Sequence, residues 1–582
     1  MKKLIVLLCA LTMCLNGCTY KTTTTQTTST EKQVEAIPKN EDYAAFLDAL
    51  FIEELENDYN TFHTYVQNEA DFGINRKNIE VTLGEFLADY SEKEESRDQA
   101  NLEKLQSYDY ESLSDEEKVI YDQIIYTYDL NKKFSDEKFK YLDCVWSGTS
   151  SSSTSLYNLF MEYSFYSKQD IEDCITLIND VPRYLNEVMD YTEEQANKGL
   201  LMIDYDNVVK GVNDIIQSKG SKNILNALSK AMDSLNLSKE EKKDYSKRIE
   251  KALEENFYPS YQTVLNRLSK VKSKIKSHTG LANLDNGKEY YQTLLQYYTG
   301  TNDNPEDIRN KLKSVAENAL SIIYSSYSDK EVSTGFKNTN QIMKFLEENY
   351  TQEFPEIHLP KYNVEALSKE QEEDNIVAYY VIPAIDYEGE EKIRYNAHNS
   401  SASVDSLDFY QTLAHEGISG HMYANQYCRE NFQYNIHYLL SNLGFSEGYA
   451  TYVEGRSLHY LKLDKDALKC ENAYMALNNA YTCLMDISVN YDGLSYKEFQ
   501  KEYGDLFGND LKDLYNTLCE SPGIFMAYYY GYFTILDLRQ YAQQELGDKF
   551  DNVQFNDALL RSGSVNFDII TQSIHRYIEE NK

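Results

Sequence analysis

The chain has 582 residues, 94 of them Asp or Glu against 57 Lys or Arg, a formal net charge of -37. A surface this acidic excludes a nucleic-acid partner and any other polyanionic one, because counterion release and attraction would both run the wrong way. Solubility is the plain reading of the charge, and the 52 tyrosines follow base composition more than function.

The first element is a targeting segment, residues 1–18. Lys2 and Lys3 form a basic start and Leu4 to Leu15 a short apolar run, too short to span a bilayer comfortably. It closes on Leu15-Asn16-Gly17-Cys18, similar to a bacterial lipobox, so Cys18 is the expected lipidation site. An uncleaved anchor or an ordinary secretory signal are the alternatives. All three place the folded part outside the cytoplasm, the first two on the cell membrane. Residues 19–40 are rich in Thr, Ser, Gln and Lys and read as a flexible tether.

From residue 41 the pattern is helical. Apolar residues recur at helical spacing over Tyr43 to Tyr65, Asp115 to Leu130, Ile171 to Gln195, Lys239 to Ile275, Pro305 to Ser326 and Gln341 to Tyr350. Asn304-Pro305-Glu306-Asp307 is a helix start, with Asn as the cap, Pro in the first turn and acids beside it. Ser147 to Ser155 reads as an exposed loop. The expected fold is therefore mainly α. Its helical N-terminal part covers 41–365, and a part bearing the chemistry covers 366–582.

The second part opens differently. Ile376 to Ile382 is β-branched and aromatic, an acidic turn follows at Asp386 to Glu391, and Ile393-Arg394-Tyr395-Asn396 completes a hairpin or two short strands. An edge strand here can pair with an extended peptide, which makes Asn396 and His398 candidate substrate contacts; a purely structural sheet is the other reading. His437 is a further histidine to watch.

Helix resumes at Ser403, capped by Asp405 or Ser406, and carries His415-Glu416-Gly417-Ile418-Ser419-Gly420-His421. Further helices are expected over Leu443 to Tyr460, Asp466 to Met485, Tyr496 to Glu502, Pro522 to Gln544 and Ile569 to Glu580. Two imidazoles and a carboxylate from a following helix are what a catalytic zinc ion takes, and His415, His421 and Glu447 are the expected ligands. Ligand type favours zinc over other divalent ions, one per chain. The spacing from His415 to His421 is i to i+6, about 240° apart on an ideal helix. One straight helix from Ser403 to Tyr427 cannot bring both rings to one ion, so the helix must break between them, where Gly417 and Gly420 supply the freedom. Glu416 stands where a general base activates water in HExxH peptidases. Glu454 lies two helical turns past Glu447, as a partner for a ligand imidazole or for Arg456. Tyr528 is placed to donate to a developing oxyanion or simply to pack. Arg539 is placed for a substrate carboxylate or for a structural one. The cysteines form no CxxC pair and give no zinc knuckle.

Taken together, these segments resemble the bacterial DUF885 proteins, whose pattern runs HE-x-x-P-G-H, EGW-x-x-Y-x-E and PGQ-x-x-x-Y-x-x-G ending in Leu-Arg. The matching positions are His415 to His421, Glu447 to Glu454, and Pro522 through Tyr528 and Gly531 to Leu538-Arg539, with Asp285 to Tyr291 upstream. Ser419, Tyr449 and Ile524 replace the usual Pro, Trp and Gln. The resemblance runs from about residue 41 to the C-terminus. It implies a helical body with a deep cleft, similar to the helical oligopeptidases, and zinc-dependent peptidase activity in a protein that is itself secreted or a lipoprotein. The expected function is hydrolysis of short peptides. Cleavage of cell-wall stem peptides is one alternative, and a non-catalytic peptide-binding lipoprotein, disfavoured by the intact Glu416 and ligands, is another.

Overall fold

Helices dominate because long stretches offer one apolar face apiece and few prolines to interrupt them. The computed structural model describes residues 41–86, 92–147, 152–325, 332–367, 377–399, 401–508 and 510–582. The targeting segment with Cys18, the tether, residues 148–151 of the Ser/Thr run and Ile376 lie outside the described residues. Among those described, no helix is long and apolar enough to cross a membrane.

The expected helices appear with adjusted ends. Tyr43 to Tyr65 is two helices, Glu41–Asn57 and Tyr59–Tyr65, because Asp58 takes an extended conformation and caps the second through the Thr61 amide. Lys168–Lys198 begins with a reciprocal Ser167–Asp170 capping box and stops at Gly199, whose φ of 72° ends a helix at no side-chain cost. Lys239 to Ile275 stays continuous, but a π-turn at Leu253–Phe257 separates Lys239–Ala252 from Tyr258–Val271. Pro259 explains it: the ring lacks an amide and clashes with the carbonyl one turn back, so the helix widens there. Asn304 caps Pro305–Ser325 by accepting from the Glu306 and Asp307 amides at 3.0 and 3.1 Å.

Apolar faces collect into two large cores. One gathers residues from Tyr43 to Val271 and borrows Ile385 and Tyr434 to Leu440. The other runs from Leu281 to Ile578 and takes in Val119 and Phe139. A small third cluster joins Met485 and Val489 to the Phe499–Phe525 region.

The sheet has three strands: β1 (Tyr362–Ala366), β2 (Ala378–Val381) and β3 (Glu391–Tyr395), in the order β1-β3-β2. β2 and β3 form the expected antiparallel pair, with Tyr380 opposite Ile393. β1 is an addition, parallel to β3 with Tyr362 opposite Glu391. Its sequence, YNVEA, does alternate apolar and polar residues, a strand signal of only five positions that is absent from the expected elements.

Candidate metal centre

The helix Leu407–Glu416 starts at Ser406, whose hydroxyl accepts from the Phe409 amide at 3.1 Å. It ends at Glu416, and a new helix, His421–Asn431, begins five residues later. This is the break that the i to i+6 spacing requires. A Cβ on Gly420 would sit 1.8 Å from the His415 carbonyl, so only glycine lets the turn fold back so closely. Ser419 sits at φ 75°, a value closed to the proline of the resembled pattern, whose ring fixes φ near -65°.

The third contributor is the helix Leu443–Ser457, pressed against Ile524–Leu546 by glycines. A Cβ on Gly531 would lie 1.9 Å from the Gly444 carbonyl oxygen, and one on Gly448 would lie 2.6 Å from the Gly531 carbonyl carbon. The two backbones touch, and this contact sets Glu447 and Tyr528 on neighbouring helices.

His415, His421 and Glu447 converge, each offering one ligand atom, all within 4.8 Å of one another. Both imidazole Nε2 atoms lie 3.5 Å from the same Glu447 oxygen, Oε2. His421 Nε2 is buried without a hydrogen-bond partner among the described residues, a costly state for a polar atom unless something binds it. On the far side of His415, Nδ1 lies 2.7 Å from Glu454 Oε1. A carboxylate in that position fixes the tautomer and turns Nε2 toward a metal. Glu416 is buried, with Oε1 3.9 Å from His415 Nε2 and Oε2 accepting from the Tyr380 amide of β2 at 3.0 Å. The sheet therefore holds the candidate base.

Burial disfavours charge on all of these groups, and the cluster overrides it in part. Burial opposes protonation of His415, yet Glu447, Glu454 and Glu416 hold its pKa well above the ordinary histidine value. Burial pushes Glu447 up, but His421 and His415 pull it down to about 2. Glu416 is lifted by burial, with the imidazoles pulling the other way. Three carboxylates face two imidazoles, and no lysine or arginine nitrogen reaches them among the described residues. A divalent cation is what this donor set lacks, and two imidazoles with one carboxylate fit zinc.

The other expected residues divide. Glu454 reaches the ligand imidazole, while Arg456 pairs instead with Glu353 at 2.6 and 3.1 Å. The Tyr528 ring lies nearly parallel to that of His415, centroids 6.4 Å apart. Arg539 is buried; its guanidinium donates to the Tyr452 hydroxyl at 3.1 Å and to Asn552, and it stacks on Phe550 and Phe555. Of its two proposed roles, these contacts favour the structural one. Asn396 is buried and its side-chain oxygen accepts from the His398 and Asn399 amides at 3.0 and 3.2 Å, shaping the turn after β3, while the His398 side chain is exposed. His437 stacks on Phe432 with its Nε2 3.3 Å from Glu116.

Two contributors have no signal in the sequence. The Tyr380 amide is backbone and leaves no mark on residue type. Asp486, buried on the helix Lys465–Asn490, accepts from the Gly523 amide at 3.0 Å and from the Tyr291 hydroxyl at 2.7 Å, and so pins the start of the Tyr528 helix. The six cysteines of the described residues are free thiols.

Comparison with known proteins agrees with this architecture. The model of the family described as "Bacterial protein of unknown function (DUF885)" matches residues 67–574. The crystal structure of the putative lipoprotein from Colwellia psychrerythraea is similar, with a TM-score of 0.73 at 14% identity, over 93% of this chain and 99% of that one. A putative lipoprotein of unknown function from Shewanella oneidensis is similar at a TM-score of 0.55 and 15% identity, over 91% and 99% of the two chains. At these identities the likeness is one of fold. No curated protein matches the chain. The chain belongs to the DUF885 family.

Proposed function

We propose that this member of the DUF885 family is a zinc-dependent metallopeptidase acting on short peptides outside the cytoplasm, anchored through Cys18. The convergence of His415, His421 and Glu447 beside the buried Glu416 carries the reading. The basic and apolar start, the Leu15 to Cys18 box and the names of the two similar lipoproteins support the location.

Zinc on these three ligands would polarise a peptide carbonyl and make water acidic enough to deprotonate near neutral pH. Glu416, steadied by the Tyr380 amide, takes the proton of the attacking water as the C–O bond forms. It returns that proton to the amine nitrogen as the C–N bond breaks. Its lifted pKa suits a group that must both take and give a proton. Tyr528, beside His415, supplies a phenol for the developing oxyanion. Glu454 keeps His415 in the ligating tautomer.

The test is hydrolysis of a mixed pool of short peptides by the full chain with added zinc. Glu416→Gln is expected to lower turnover by about 10²–10⁴-fold with zinc still bound. Turnover unchanged in Glu416→Gln contradicts the reading. Release of wall stem peptides with no cleavage of free peptides would move the substrate to the cell wall.

A further inference from the structure

The sheet has a second face. Side chains alternate along a strand, so Glu391 and Ile393 of β3 are buried toward the metal-bearing helices while Lys392 and Arg394 point the other way. There they line a cleft of about 670 Å³ with Asn363 and Glu365 of β1, Glu162, Lys230 and a wall that includes Met161, Tyr166 and Tyr387. The volume is that of a small-molecule site.

The charges of this cleft are unlike those of the rest of the chain. Three cations, Lys230, Lys392 and Arg394, face two carboxylates, Glu162 and Glu365, in a protein whose net charge is -37. Arg394 is taken up by the carboxylates, 3.1 Å from Glu365 and 3.6 Å from Glu162. The Lys392 ammonium has no ion-pair or hydrogen-bond partner among the described residues, although the side chain is half-buried. Burial lowers its pKa, and Arg394 and Lys230 push the same way against Glu162 and Glu365. A half-buried ammonium left beside two other cations is unfavourable unless an anion shares the space. Among the described residues that line the cleft the surplus is one positive charge, which matches a carboxylate better than a phosphate dianion, and the aromatic wall suits an apolar body attached to it.

We propose that this cleft is a second ligand site, separate from the metal centre, that takes the carboxylate of a small amphiphilic acid on Lys392 with its apolar body against Met161, Tyr166 and Tyr387. The site does not depend on the metal reading, since none of its residues is a proposed ligand or base.

N-acetyl-phenylalanine and its carboxamide, titrated calorimetrically into the full chain, differ only in the charge that Lys392 is held to read. The acid is expected to bind at least about tenfold more tightly than the amide, the worth of one charge-assisted hydrogen bond. Lys392→Met removes that preference and Lys392→Arg keeps it, with thermal melts confirming that both variants fold. His421→Ala leaves it unchanged. Equal binding of acid and amide, no binding of the acid, a preference that survives Lys392→Met, one that vanishes in His421→Ala, or tighter binding of inorganic phosphate would each overturn the proposal.

Discussion

At the start of the Lys168–Lys198 helix, Asp170 and Asp173 lie buried near His63, and the Arg76 guanidinium binds both carboxylates, Asp170 at 2.7 Å. In the other half of the molecule, Glu416, Glu447 and Glu454 surround His415 and His421, and no arginine or lysine reaches them among the described residues. The residue types are nearly the same, and the two histidines respond oppositely. Burial drives His63, stacked 4.2 Å from the Tyr163 ring, down to about 4, so it stays neutral beside a cation the chain already owns. His415, equally enclosed, is held well above the usual value by its carboxylates. Glu391 and Glu353 follow the first pattern, with Arg429 at 2.8 Å and Arg456 at 2.6 Å. At Asp170 and Asp173, at Glu391 and at Glu353 the fold supplies an arginine to its buried acids; at the candidate metal centre none reaches them among the described residues. That asymmetry, more than the presence of histidine, supports the proposal of an external cation at the second cluster.

The comparison can be broken at either end. Arg76→Met should strand Asp170 and Asp173 and destabilise the protein by about 3–5 kcal/mol, read as a fall in the urea midpoint at pH 7. An unchanged midpoint would mean that the first cluster is not self-balanced. Asp486 sharpens the contrast as a third kind of buried acid, with hydrogen-bond donors but neither arginine nor metal. Burial lifts it from 3.8 to about 6 against the pull of Tyr291, Gly523 and Asn490. The native state then binds the proton more tightly than the unfolded chain, so stability falls as pH rises from about 4 to 6, by roughly 3 kcal/mol. Asp486→Asn removes that fall; relative to the parent, the variant should gain stability between pH 4 and pH 7. The same shift at both pH values would contradict this. The smallest effect is expected at Glu454. Glu454→Gln keeps the shape and removes the charge behind His415, and zinc affinity should fall about 10–100-fold with the melting profile little changed. Unaltered affinity would show that Glu454 only packs.

Much of the site is legible in the sequence because its constraints are local. The i to i+6 spacing of His415 and His421 already forbids a straight helix, and the observed break between Glu416 and His421 is what that geometry asks for. Glu454 follows from helical periodicity once Glu447 is placed. The remainder depends on contacts that residue type does not encode. The Tyr380 amide on Glu416 is backbone, the short alternation of β1 does not say that it pairs in parallel with β3, and the role of Gly444, Gly448 and Gly531 becomes visible only when two helices distant in sequence cross. The π-turn ahead of Pro259 is not foreseen: the apolar spacing over Lys239 to Ile275 is helical throughout and does not register a local widening of the backbone.

Zinc titration of the metal-stripped full chain, beside His421→Ala, tests the central claim most directly. The account predicts uptake of a single ion per chain by the parent and a loss of that uptake in a folded His421→Ala. A folded parent that takes up no divalent ion, or a His421→Ala variant that binds zinc as the parent does, would contradict it.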